Sequence, residues 1–249
     1  MLRRNSFFMS LSVLWLVVIG CALLCYPKAE THLWLNSVHT AQLDVFFRHL
    51  TVLGEWVTYA VAGLLLFYKV GWAAYLLCST AVAGLLSQGL KHLLHTDRPV
   101  TWFATHCPDV QLPLVEGVKV HRYLSCPSGH TVTCFTLFLV LSIVATEYVA
   151  RRAAAGSADR QPLYKAQSRL AQAVCFLLAA GGAYSRIYLS QHFLEDIFCG
   201  TVIGLAVTLL LYVAMQPLML TRFWNWNLLR LVARPSGHQD KAASTAGKG

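Results

Sequence analysis

Six long apolar runs constrain what this chain can fold into. They cover approximately residues 7–26, 51–68, 70–90, 130–150, 170–189 and 196–216. Each has roughly 20 residues, enough for a helix to cross about 30 Å of hydrocarbon. A further segment, about residues 32–49, mixes apolar with polar residues and is too polar to span, so it is interpreted as an interfacial helix. The sequence therefore predicts an all-α, polytopic membrane helix bundle with six transmembrane helices plus an interfacial helix.

Composition agrees with a membrane protein, and the placement of charge gives its orientation. The 249-residue chain is 56% hydrophobic and 12% charged, which is too apolar for an ordinary soluble domain. A net charge of +9 could indicate nucleic-acid binding. With a cytoplasmic N-terminus, however, 13 of the Lys and Arg residues fall inside and 7 outside. The positive-inside rule explains most of the excess charge, so no nucleic-acid partner is expected.

No repeat or long linker interrupts residues 1–220, which are interpreted as a single membrane domain. Phe223, Trp224 and Trp226 stand beside Arg222 and predict an interfacial anchor on the cytoplasmic side. The polar segment that follows is expected to be disordered. Residues 221–249 are therefore interpreted as an anchor and a cytoplasmic tail.

The eight cysteines include no CxxC pair and no Cys and His cluster with zinc-finger spacing. Cys107 and Cys126 fall in the same predicted outer loop. A disulfide between them is one hypothesis, and two free thiols are the other. The sequence leaves both open.

A first polar cluster is expected at the outer end of the third span. Lys91 and Arg98 are seven residues apart, about two helical turns, so they can project from nearly the same helix face. Pro99 should end the helix at the residue before it. Two adjacent cations repel unless an anion lies between them, and the fork of Arg matches phosphate oxygens. The alternative is a basic flank that snorkels to the interface.

The second cluster, Pro127-Ser128-Gly129-His130, precedes the fourth span. Ser128 predicts a helix cap, Gly129 lets a backbone N–H approach an anion, and a helix N-terminus favours negative charge. His130 could exchange a proton with that anion near neutral pH. The alternative is an ordinary capping turn.

The third cluster contains Ser185-Arg186, His192 and Asp196. On a helix, residues four apart meet, so Asp196 can bond one imidazole nitrogen and leave the other to a substrate. This is the arrangement of an activated nucleophile. The alternative is a structural His and Asp pair that seals an interface.

Together the three clusters resemble the three-part signature of the type 2 phosphatidic acid phosphatase and vanadium haloperoxidase superfamily. All eleven motif residues are present, in order and with the expected spacing within each motif. The resemblance covers residues 91–196, and the six-span layout resembles the membrane lipid phosphatase branch.

The resemblance implies a role for each matched residue. His192 would attack phosphorus and become transiently phosphorylated, with Asp196 orienting it. His130 would protonate the leaving oxygen and then help to activate water. The groups that would hold the phosphoryl oxygens are Lys91, Arg98, Ser128, the Gly129 backbone and Arg186. No metal or other cofactor would be required, because the cations and the helix terminus supply the positive charge.

All three motifs fall at the outer ends of the predicted spans. The expected substrate is thus a membrane lipid phosphate, reached at the periplasmic face of a bacterial inner membrane. Similar bacterial enzymes act on phosphatidylglycerophosphate, undecaprenyl pyrophosphate, phosphatidic acid or the phosphates of lipid A, and the motifs do not distinguish these. Trp102, Phe103 and residues 115–123 are expected to shape the entrance, with Lys119 and Arg122 either contacting the headgroup or simply solvated.

Three other functions share some of these features. A vanadium haloperoxidase would have the same anion pocket, usually within a soluble shell. A transporter or channel should show broken helices or mid-membrane charges, and the sequence shows neither clearly. A haem protein is suggested only by ten histidines. The sequence does not indicate an oligomeric state.

Overall fold

The computed structural model describes residues 4–219, 221, 224–226 and 228. This part of the chain forms helices, with a single isolated bridge between Asp97 and Tyr123 and no longer strand. The helices are α1 (Ser6–Cys25), α2 (Lys28–Leu35), α3 (Ala41–Leu50), α4 (Val57–Tyr68), α5 (Val70–Leu94), α6 (Pro99–His106), α7 (Gly129–Ala155), α8 (Gln161–Tyr188) and α9 (Leu194–Met219). The prediction of an all-α membrane bundle is confirmed.

Five helices of the described chain, α1, α5, α7, α8 and α9, are long and apolar enough to cross a membrane. The predicted second span differs. Its helix α4 has only 12 residues, about 18 Å of helix, which is too short for the hydrocarbon core. It forms a pair with the segment Ala41–Gly54, bent by 54°, and the pair makes a sixth span if it is counted as one.

The predicted interfacial helix over residues 32–49 is two helices, α2 and α3. Thr40 caps α3, since its side chain accepts a hydrogen bond from the Leu43 N–H at 3.2 Å. A 3-10 turn, Thr51–Gly54, continues α3 toward α4. Glu55 then leaves helical geometry, with φ −117° and ψ −119°, and this is where the span breaks.

Helix α7 lies at the centre of the bundle and packs against α5, α8 and α9, while α1 packs outside α8 and α9. Two glycines let α9 approach the start of α7. A Cβ at Gly200 would lie 2.8 Å from the Ser128 carbonyl oxygen, and one at Gly204 would lie 2.8 Å from that of Val132. Close packing through small residues is common between membrane helices. It sets the N-termini of α7 and α9 side by side.

Two sequence-based expectations concern other parts of the chain. The predicted anchor and tail, 221–249, lie largely outside the described residues. Of the described ones, Trp224 and Trp226 use their carbonyl oxygens to accept hydrogen bonds from Gly71 and Val70 at the start of α5.

The disulfide hypothesis is wrong, because Cys107 and Cys126 are both free thiols. The Cys126 thiol lies instead beside that of Cys199 in α9. The hydrogen bond with Cys199, followed by burial, raises the pKa of the Cys126 thiol.

Candidate active site

Lys91 and Arg98 do not share a helix face, contrary to the expectation from their spacing. Helix α5 ends at Leu94, because His95 adopts a left-handed conformation with φ 46°. Arg98 follows in an extended segment and stands at the N-cap position of α6, with Pro99 as the first helical residue. The helix therefore ends four residues before Arg98.

A loop that crosses over the end of α5 brings the two cations to the same place. Lys91 Nζ donates to the carbonyl oxygens of Leu124 and Ser125, at 2.6 and 3.0 Å. Arg98 Nε donates to the Tyr123 carbonyl oxygen at 3.0 Å. Lys91 thus uses two of its three N–H donors to hold the loop that leads into the second motif.

The second motif forms the start of α7 as predicted. Ser128 is the N-cap: its Oγ accepts from Thr131 N at 3.4 Å and from Thr131 Oγ1 at 3.0 Å. Gly129 is the first helical residue, and a Cβ added there would meet no atom within 4 Å. His130 follows, with Nε2 3.1 Å from the Glu55 carboxylate.

The third motif brings together the predicted pair. His192 lies in the turn before α9, and Asp196 lies in the first turn of that helix. Their Nδ1 and Oδ2 atoms are 3.2 Å apart, and each residue is 1% exposed. The same Oδ2 accepts from Ser125 Oγ at 2.5 Å and from Phe193 N at 2.9 Å. Because Nδ1 faces the carboxylate, Nε2 is the nitrogen that can face a substrate.

Arg186 lies at the end of α8 and is 5% exposed. Its Nη1 donates to Thr51 Oγ1 at 2.6 Å, and its carbonyl oxygen accepts from His192 N at 3.1 Å. The Nε–H is buried without a partner. An unpaired donor on a buried charged group is costly, typically by more than about 1 to 3 kcal/mol. A bound oxyanion would satisfy it.

Charges of the first and third motifs act on the imidazole of His192. Burial, and then Arg98, Arg186 and Lys91, lower the pKa of His192 well below its usual value of 6.5. The ring is therefore neutral at physiological pH, and its contact with Asp196 is a hydrogen bond from a neutral ring. Neutral imidazole carries the lone pair that nucleophilic attack requires.

The outer loop adds a histidine near the same place. Burial is the main cause that lowers the pKa of His121, followed by the charges of Arg98, Lys119, Arg186 and Lys91. His121 in turn acts on His192. The loop stays in position because Gln191 Nε2 donates to the Lys119 carbonyl oxygen at 3.2 Å.

Four residues at this site were not found from the sequence: Thr51, Glu55, Ser125 and Gln191. Gln191 accepts from Arg98 Nη1 through its carbonyl oxygen and through Oε1, both at 3.3 Å. Glu55 did carry a signal, because it is the only acidic residue inside the predicted span 51–68. The other three are neutral polar residues with no distinguishing pattern.

Trp102 and Phe103, expected at the entrance, form an aromatic cluster with Phe193 beside His192. Their ring centroids lie 5.7 and 6.2 Å from that of Phe193. Phe103 is 1% exposed, so its assignment to the entrance is wrong. Lys28 Nζ lies 3.8 Å from the Phe193 ring centroid and pairs with Glu195 at 2.6 Å. The cluster supports the turn that carries His192. Lys119 and Arg122, which were expected either to contact the headgroup or to be solvated, are both exposed.

The chemistry of these groups favours an anion. In the described residues, no group of three or more His, Cys, Asp or Glu side chains is placed to hold a metal ion. The fold and the site therefore define an integral membrane protein with a cationic pocket around a carboxylate-bound imidazole, an arrangement suited to binding and attacking a phosphoryl group.

The comparisons with known proteins agree with this class. The sequence model of the PAP2 superfamily matches residues 72–220, more than half of the chain, and the chain therefore belongs to the PAP2 superfamily. No curated protein matches it significantly.

Two solved structures resemble the chain. The crystal structure of Aquifex aeolicus LpxE has 25% sequence identity and a TM-score of 0.56, over 76% of this chain and 97% of that chain. The transmembrane PAP2-type phosphatidylglycerolphosphate phosphatase of Bacillus subtilis has 19% identity and a TM-score of 0.55, over 90% of this chain and 100% of that chain. The protein is thus a membrane-embedded phosphatase with the fold of PAP2 lipid phosphatases. The break at Glu55 is a feature also expected of a transporter, but membership of the PAP2 superfamily favours a phosphatase over the transporter and haem interpretations.

Proposed function

We propose that the protein hydrolyses a phosphomonoester or pyrophosphate on a membrane lipid through a phosphohistidine at His192, without a metal cofactor. The observation that carries the proposal is the buried imidazole of His192, which contacts Asp196 Oδ2 at 3.2 Å and is subject to the charges of Lys91, Arg98 and Arg186. Residues 1–220 would act as one catalytic unit.

In the first step, the Nε2 lone pair of His192 forms a bond to phosphorus while the phosphorus–oxygen bond to the lipid breaks. The electron pair of that bond leaves with the lipid oxygen, which takes a proton from His130. In the second step, water attacks phosphorus and gives a proton to His130. The nitrogen–phosphorus bond then breaks, and inorganic phosphate leaves.

Negative charge spreads over the phosphoryl oxygens during both steps. We assign its stabilisation to Lys91, Arg98, Arg186, and the N-terminus of α7 at Ser128 and Gly129. The unpaired Nε–H of Arg186 supports this role. Each such donor is typically worth about 3 to 4 kcal/mol. These cations take the place that a metal ion holds in other phosphoryl-transfer sites.

The proposed location is the periplasmic face of a bacterial inner membrane. The topology predicted from the sequence puts 13 of the 20 Lys and Arg residues on the cytoplasmic side and the three motifs on the opposite side. Green fluorescent protein fused to the C-terminus should fluoresce, because the tail is then cytoplasmic. A dark, full-length fusion would contradict this orientation.

The candidate substrates are phosphatidylglycerophosphate, undecaprenyl pyrophosphate, phosphatidic acid and lipid A. The likeness to the Bacillus subtilis phosphatase, at 19% identity, shows the fold alone, so the four lipids are tested as equals. Phosphate release across the four lipids, from purified protein in detergent, should show turnover of at least one. No release from any of them would contradict the proposal.

The same assay tests the mechanism. His192→Ala should lower kcat by at least about 10³-fold, while His92→Ala, at an exposed position near the same end of the bundle, should not change it. Vanadate should inhibit competitively, because it resembles the transferring phosphoryl group. Activity that is lost in chelator and restored by a divalent ion would refute the metal-free reaction.

A further inference from the structure

We propose that Glu55 is a positioning residue that holds His130 as the proton donor, so that the site contains two carboxylate–imidazole pairs. The inference rests on the proposed function, since it assigns a role within that reaction. Glu55 Oε1 lies 3.1 Å from His130 Nε2, as Asp196 Oδ2 lies 3.2 Å from His192 Nδ1. The family signature contains only the second pair.

The turn before Glu55 is packed directly on His130. A Cβ at Gly54 would lie 2.9 Å from the His130 Cβ and 3.0 Å from its Cα, distances that side chains do not tolerate. Glycine therefore permits this approach. Glu55 then leaves helical geometry, and the following helix α4 is turned by 54° from the segment Ala41–Gly54. The break in the second span is what sets the carboxylate beside the imidazole.

The same turn also contacts Arg186, which is proposed to bind the phosphoryl group. Thr51, at its first position, accepts from Arg186 Nη1 at 2.6 Å. One turn of four residues thus contacts the proposed general acid and a cation of the phosphate pocket. This double contact distinguishes the turn from a passive connection between α3 and α4.

The chemistry explains why His130 needs a carboxylate. Charged or titratable groups from several elements act on its ring: Glu55 directly after the turn, Arg186 of α8, His192 before α9, Arg98 before α6 and Lys91 of α5. The three cations disfavour a further positive charge on His130, yet a general acid must carry the extra proton. Glu55 offsets that repulsion and stabilises the imidazolium. With Nε2 bound to Glu55, Nδ1 is the nitrogen that gives the proton to the lipid oxygen.

The test measures how fast His192 is phosphorylated in a single turnover by two substrates. The lipid alkoxide needs a proton to leave, whereas the phenolate of p-nitrophenyl phosphate does not. Glu55→Gln should slow phosphorylation of His192 by the lipid about 10-fold. The alkaline limb of the pH–rate profile for this step should move about one unit lower in pH, because the proton donor loses its carboxylate partner. Phosphorylation by p-nitrophenyl phosphate should change less than about twofold. Glu30→Gln, an exposed carboxylate on α2, is the control.

Two further measurements separate this role from a structural one. Vanadate should bind Glu55→Gln at least as tightly as the wild type, because a negative charge near the cations has been removed. Adding Glu55→Gln to His130→Ala should cause no further loss, since Glu55 assists proton transfer only through His130. Equal slowing with both substrates, weaker vanadate binding, or additive losses would overturn the inference. Absence of phosphohistidine in the wild type would instead overturn the proposed function itself.

Discussion

A histidine of α2 should make the stability of the fold depend on pH. His32 is 1% exposed and packs against Phe103 and Phe193, with ring centroids 5.6 and 5.1 Å away. Neither ring nitrogen has a hydrogen-bond partner. Burial lowers the pKa of His32 from 6.5 to about 4, with Asp196 opposing and Lys28 adding to the change.

The direction of the effect follows from the two pKa values. The unfolded chain takes up the proton first as the pH falls, because the folded pKa is the lower one. Stability from this group is therefore complete above about pH 6.5 and declines down to about pH 4. Each unit between the unfolded and folded pKa values is worth about 1.4 kcal/mol, so the free energy of unfolding falls by about 3 kcal/mol across this pH range.

The variant His32→Leu removes the titrating ring and its two unpaired nitrogens. Urea unfolding in mild detergent, followed by tryptophan fluorescence, gives the free energy of unfolding at pH 7 and pH 4. From pH 7 to pH 4, the free energy of unfolding of the wild type should fall by about 3 kcal/mol more than that of the variant. The control His92→Leu, at an exposed position, should lose as much stability as the wild type over the same pH range. A wild-type to His32→Leu difference that is the same at both pH values would refute the reasoning.

Three further results are expected. Ser125→Ala removes a 2.5 Å hydrogen bond to the carboxylate that holds the imidazole, so kcat should fall about 10-fold with little change in KM, as steady-state kinetics would show. Because burial and nearby cations keep the pKa of His192 well below 6.5, single-turnover phosphorylation at saturating substrate should keep its rate as the pH falls below 6.5. An acid limb near that pH would contradict this. Gly54→Ala forces a Cβ into His130 and should destabilise the fold by about 1 to 3 kcal/mol; Gly63→Ala, where a Cβ meets nothing within 4 Å, should not.

Features set by local sequence could be predicted. Apolar runs of membrane length indicated five of the helices, and the Ser128 cap and the pair of His192 and Asp196 follow from short spacings. Such patterns need no knowledge of what packs against them. The mistaken assignment of Lys91 and Arg98 to one helix face shows the limit, because the left-handed conformation of His95 ends α5 first.

Features that depend on distant packing could not be predicted. The broken second span looks like an ordinary apolar run, and its break is explained only when Gly54 is seen against His130. Ser125 reaches Asp196 because Lys91 holds the loop carbonyls around it. Each of these contacts joins residues more than 30 positions apart, which a pattern within one helix cannot show.

Direct detection of the phosphorylated residue would test the central claim. Wild-type protein is quenched in alkali during turnover of a hydrolysed lipid, and its peptides are analysed by mass spectrometry. The mechanism predicts one acid-labile, alkali-stable phosphoryl group on His192, with none in His192→Ala. A phosphoryl group on another residue, or wild-type turnover with none on His192, would contradict it.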